Sequence, residues 1–130
     1  MTLTPPLIFV AYVPEAGLFR LTAPYQRRTA VDPHSYGYLP QGLDTYAIVV
    51  PAGFQTDFAS VPRLLVGIFP KVGKYAGAAV IHDYLYVTQC KGRKWADAVF
   101  YELMREDGVG WVTRWTLFLA ARTFGREFWK

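Results

Sequence analysis

The first half of the chain carries short apolar runs, Leu7 to Val13, Leu18 to Thr22 and Tyr46 to Val50, each closed off by turn formers. They are rich in β-branched and aromatic residues, which suit a pleated, half-buried surface, so they predict strands. Near residue 72 the spacing changes. Apolar residues then recur at intervals of three and four, predicting helices over about Tyr75 to Gln89, Lys94 to Glu106 and Trp111 to Phe124, with breaks at Gly92 and at Gly108 and Gly110. The segment Gln26 to Asp44 holds two prolines, two glycines and the pair Tyr36 and Tyr38. It predicts a long excursion with little regular structure, serving as a lid or contact surface. The expected fold is α+β: a small N-terminal antiparallel β sheet, strand-rich to about residue 72, followed by a three-helix unit, all in one domain over 1–130.

Helical spacing also sorts side chains onto faces. His82 and Tyr86, four residues apart, share a face with Ala78, and Asp83 sits about 100° further round. A hairpin of the first two helices can set Asp97 opposite His82. In the third helix Val112, Trp115, Leu119 and Arg122 form one stripe beside Trp111, Phe118 and Ala121. That stripe reads as a face turned to the core.

Composition supports a folded chain: 52% hydrophobic, 17% aromatic and 18% charged over 130 residues, enough for one core. No apolar run approaches the roughly 20 residues of a membrane-spanning helix, and the N-terminus lacks the basic head of a secretory signal. The expectation is a soluble protein made in the cytoplasm, with no transmembrane segment. The single cysteine, Cys90, excludes an intramolecular disulfide and a multi-cysteine zinc site, and reads as packing. The net charge of +4 is concentrated in the C-terminal third, with eight Lys or Arg against five Asp or Glu from Lys91 to Lys130. No basic run resembles a nucleic-acid motif, and the excess reads as a solvated surface.

Candidate reactive groups gather in GFQTDFASVPR (Gly53 to Arg63), HDYLY (His82 to Tyr86) and ADAVF (Ala96 to Phe100). A histidine oriented by a carboxylate on a facing helix can act as a general base, because the carboxylate fixes its tautomer and stabilises the imidazolium. His82 and Asp97 meet that requirement. Asp83, with Asp57, can bind a divalent cation, and a competing arrangement makes His82, Asp83, Asp57 and Asp97 joint metal ligands. Ser60 and Arg63 are candidates for substrate binding, Arg63 as a clamp on phosphate or carboxylate. The structural alternative is a buried hydrogen-bonded network that holds the hairpin in register, with Arg63 or Arg93 neutralising the acids. Ser60 suits a turn or cap hydroxyl better than a nucleophile, and His34 reads as a loop residue.

The ordered blocks VPAGFQTDFASVPR, AAVIHDYLY, GRKWADAVFYELM and AARTFG, from about Tyr46 to Gly125, resemble the domain-of-unknown-function family 1353 of tailed bacteriophages and prophages. That resemblance implies phage or prophage origin, synthesis in the host cytoplasm, and phage structural proteins or host envelope components as partners. It places Asp57, Ser60, Pro62, Arg63, His82, Asp83, Tyr86, Arg93 and Asp97 at motif positions. Over a shorter span, AAVIHDYLY followed by ADAVF is similar to the catalytic hairpin of the phospholipases A2. By that likeness His82 activates water, Asp97 orients His82, Tyr86 braces the acid and Asp83 binds calcium. The chain lacks their YxGxG calcium loop. Two functions follow as expectations: a His–Asp hydrolase of lipid or cell-envelope bonds, assisted by calcium or zinc, or a noncatalytic virion or tail-assembly protein.

Overall fold

The computed structural model describes residues 10–13, 18–33, 37, 45–56, 75–89 and 91–124. Among these residues five strands precede three helices: β1 (Val10–Val13), β2 (Leu18–Leu21), β3 (Tyr25–Thr29), β4 (Tyr46–Val50), β5 (Gln55–Thr56), α1 (Ala76–Thr88), α2 (Arg93–Glu106) and α3 (Trp111–Phe124). The class is the expected α+β, with the strands divided between two antiparallel sheets, one ordered β1-β2-β5 and one pairing β3 with β4.

The division falls at Thr22 to Pro24, where the chain bends between β2 and β3. Leu21 joins the two sheets through bonds with the turn after β4: its N–H donates to Phe54 O at 2.9 Å, and its O accepts from Gly53 N–H at 2.7 Å. In that turn Phe54 N–H donates to Pro51 O, and the third residue, Gly53, has φ +93°, a left-handed geometry that a side chain would strain.

β3 corrects one expectation, because all of it but Tyr25 falls in the stretch read as an irregular excursion. Its sequence, YQRRT, looks polar, yet Tyr25, Arg27 and Thr29 alternate inward while Gln26 and Arg28 face solvent. The inward arginine is matched by a carboxylate from the far end of α2. Arg27 Nη1 and Nη2 donate to Asp107 Oδ2 and Oδ1 at 2.9 and 2.7 Å. One residue pair later, Thr29 Oγ1 donates to Glu102, and Ala30 N–H donates to the other oxygen of Glu102 at 3.1 Å.

α2 sets Asp107 in place by the way it stops. Gly108 N–H donates to Arg105 O, Val109 N–H donates to Met104 O, and Gly108 has φ +81°, the paired bonds and left-handed residue of a Schellman ending. Asp107 is the C-cap residue, where a negative charge opposes the helix dipole, and the forked contact from Arg27 offsets that cost.

α1 is largely buried. Ala76 through His82, with Leu85 and Tyr86, are buried. Its small first turns let it approach β3 closely: a Cβ at Gly77 would lie 2.2 Å from Tyr25 Oη. The core continues through Trp95, Val99, Phe100 and Leu103 of α2 and Leu117 of α3.

α3 carries a second correction. The stripe assigned to the core is largely outside, with Trp111, Val112, Trp115 and Leu119 exposed and Leu117 buried on the opposite side. A helix with apolar residues on both sides has no single preferred face, and packing against α2 chose the one around Leu117.

Candidate functional site

α1 and α2 form a hairpin that brings the polar side chains of both helices together beneath α3. His82 Nε2 lies 2.6 Å from Asp97 Oδ1, and Tyr86 Oη donates to the same oxygen at 2.7 Å. The second carboxylate oxygen, Oδ2, accepts from Arg122 Nη1 of α3 at 2.7 Å. Asp97 is fully buried, so each of these donors replaces hydration that the carboxylate has lost.

Burial by itself would raise the carboxyl pKa of Asp97, but bonds from His82, Tyr86 and Arg122, with the charge of His82, hold it below the ordinary carboxylate range. Asp97 is therefore an acceptor at both oxygens. It follows that Nε2 of His82 carries the proton of their shared bond, and in the neutral ring the lone pair resides on Nδ1. Nδ1 is buried and has no hydrogen-bond partner among the described residues. The Tyr86 hydroxyl is pushed to a higher pKa by burial and by Asp97, against the opposing influence of Arg93, and stays protonated as a donor.

Aromatic contacts hold the imidazole. Its ring stacks on Phe100 with centroids 4.5 Å apart and planes at 28°, and meets Tyr86 at 4.4 Å. Arg93, at the start of α2, does not neutralise Asp97. Its Nη2 donates to Ala121 O and Arg122 O at 2.8 and 2.6 Å, satisfying the last carbonyls of α3 and so fixing the residue that reaches Asp97.

Of the residues singled out from sequence, the structure brings together His82, Asp97 and Tyr86. Asp83 is half-buried on α1 beside them. Asp57, Ser60 and Arg63 lie outside the described residues, as do Pro62, His34 and Cys90. Among the described residues no three His, Cys, Asp or Glu side chains gather into a metal-binding group, so these residues do not supply Asp83 with a cation shell. Arg122 was not foreseen as a partner of this site. The usable signal was the need for a cation at any buried aspartate, but it does not say which arginine answers it.

Fold and site together define an α+β protein in which the three described helices meet at one buried carboxylate. The chain belongs to the family described as Protein of unknown function (DUF1353), which matches residues 35–121, well over half of the chain. That span includes His82, Tyr86 and Asp97 and ends one residue before Arg122. Neither the curated proteins nor the solved structures searched gave a match.

Proposed function

We propose that this chain is a phage or prophage hydrolase in which His82 is the general base and Asp97 its orienting acid, acting on ester or amide bonds of lipid or cell envelope. The observation that carries this reading is the pairing of Nε2 with an ionised, immobilised carboxylate at 2.6 Å while Nδ1 has no partner among the described residues. The order His82, Asp83, Tyr86 on one helix with an acid on the next, similar to the phospholipase A2 hairpin, supports it. In this scheme Nδ1 takes a proton from water as the water oxygen attacks the substrate carbonyl carbon. The tetrahedral intermediate then expels the alcohol or amine, which leaves with that proton. Asp97 stays ionised throughout, stabilising the transient imidazolium. A divalent cation on Asp83 and Asp57 would polarise the carbonyl.

His82→Gln should lower hydrolysis of phospholipid or peptidoglycan substrates by at least about 100-fold, with a thermal unfolding midpoint close to that of the parent. Retained turnover in a folded variant sinks the proposal.

One observation favours a second reading, a noncatalytic virion or tail-assembly protein. Asp97 joins three helices, and Nδ1 is shielded from solvent, as expected of a network that exists to hold the fold. Absence of turnover on either substrate class by the parent protein would favour this reading.

A further inference from the structure

β4 has one edge that carries no further strand among the described residues. It pairs with β3, from Tyr46 opposite Thr29 to Val50 opposite Tyr25. In an antiparallel pair every second residue turns its N–H and C=O toward the neighbouring strand, and the residues between turn theirs away. No hydrogen bond among the described residues reaches the backbone groups that β4 turns away from β3. The edge is accessible, with Tyr46 36% and Val49 50% exposed.

This edge borders a cleft of about 270 Å³ that takes in four consecutive residues of β4, Tyr46, Ala47, Ile48 and Val49. Consecutive strand residues point to opposite faces of a sheet, so a cleft that touches all four runs along the edge of β4 and not over one face. Leu85 and Thr88 of α1 stand across from the strand, and the buried Leu85 and Trp95 give the cleft an apolar base. Lys91, in the link between α1 and α2, also lines it, its Nζ held 5.5 Å from the centre of the Tyr46 ring. None of the lining residues is acidic.

These features select one kind of occupant. Backbone groups turned outward are matched by another backbone, an apolar base by the apolar side chains on one side of a strand, and an ammonium group by a carboxylate. An extended peptide supplies all three, its main chain giving affinity and its alternate side chains specificity. A second folded copy fits less well, because α1 walls the space beside the edge and leaves room for a single segment. We infer that the outer edge of β4 takes up an extended segment of a partner protein as an added strand, with apolar side chains entering the cleft and an acidic residue meeting Lys91. The inference rests on neither functional reading above. If the assembly reading holds, this edge is a contact through which the chain assembles.

The test uses the full chain and a panel of acetylated hexapeptides in which Val, Ile or Tyr alternates with Thr, each made with Glu, Gln or Lys at either end. Expected is binding of Glu peptides at roughly millimolar Kd or tighter, with amide NMR shifts centred on Tyr46 to Val49. N-methylation of every second peptide amide, which keeps the side chains and removes donors, should weaken binding about tenfold or more in one of the two alternating sets and little in the other. Lys91→Glu should move the preference from Glu to Lys peptides by about fivefold or more, and Thr88→Trp should block the cleft. Both positions are exposed, and matched thermal melts show whether the variants remain folded. No binding by any member of the panel overturns the inference. So does equal tolerance of both N-methylated sets, which would make the cleft a pocket for an apolar group alone, or a parent dimer that Thr88→Trp dissociates without any peptide binding, which would make the edge a contact between copies.

Discussion

Taking the charge from Asp97 leaves His82, Tyr86 and Arg122 without a common ionised acceptor in a place that water does not reach. Asp97→Asn should therefore cost about 3 kcal/mol or more in urea unfolding, because the buried His82 and Tyr86 donors and the partly exposed Arg122 lose the anion that they share. The same carboxylate sets an acid limit on stability. Its folded pKa is below the unfolded one, so its contribution is complete above pH about 4 and is lost as pH falls toward the folded value. Unfolding midpoints measured from neutral pH downward should converge for the parent and Asp97→Asn over that window. A gap that stayed constant to low pH would show that Asp97 is not the titrating group.

Between elements, close approach matters as much as charge. α1 begins Ala76-Gly77-Ala78-Ala79, and all four are buried. Glycine costs a helix interior about 1 kcal/mol relative to alanine, so Gly77 lowers the intrinsic stability of α1. The Tyr25 hydroxyl explains its presence, since it occupies the space where a Cβ would go and also accepts a bond from Arg27 Nη1 at 2.9 Å. Gly77→Ala should destabilise by about 1–3 kcal/mol despite the better helix propensity. Tyr25→Phe in the same chain should recover part of that loss, and a double-mutant cycle with no coupling between the two positions would overturn this account.

Across the molecule, the strand-rich and helical halves are joined by buried polar pairs as well as by the shared core. Arg27 with Asp107, Thr29 with Glu102, and Trp95 Nε1 with Val31 O at 2.9 Å all bridge β3 or its continuation to α2. Burial alone would lower the pKa of Arg27, yet the bonds and charge of Asp107 raise it. Asp107→Leu alone should cost about 3 kcal/mol or more because it takes the forked partner from a buried guanidinium, leaving it the Tyr25 hydroxyl at 2.9 Å and the half-exposed Glu106 at 3.8 Å, whereas Arg27→Met with Asp107→Leu should return most of that loss. Denaturant midpoints for the parent, both single variants and the double decide it. A double variant no more stable than Asp107→Leu would mean that the pair shapes the interface beyond balancing charge.

Local spacing was enough to place the three helices and the strands at Leu18 and Tyr46, because an element that buries one side must repeat its apolar residues at its own period. It also allowed His82, Tyr86 and Asp97 to be read as neighbours, since four-residue spacing and a short connection constrain a helical hairpin strongly. β3 escaped that reading, because an inward arginine looks like solvent-facing polarity until Asp107, eighty residues later, is seen beside it. Arg122 escaped for the same reason, its pairing with Asp97 being a contact between helices that adjacency in sequence does not encode. The outward face of α3 was misread because apolar residues surround that helix, and periodicity ranks its faces only weakly. Local propensity and spacing therefore defined the elements and one pair of faces. Which charges are buried together, and which apolar face stays in contact with solvent, depended on packing between distant segments, where desolvation must be compensated pair by pair.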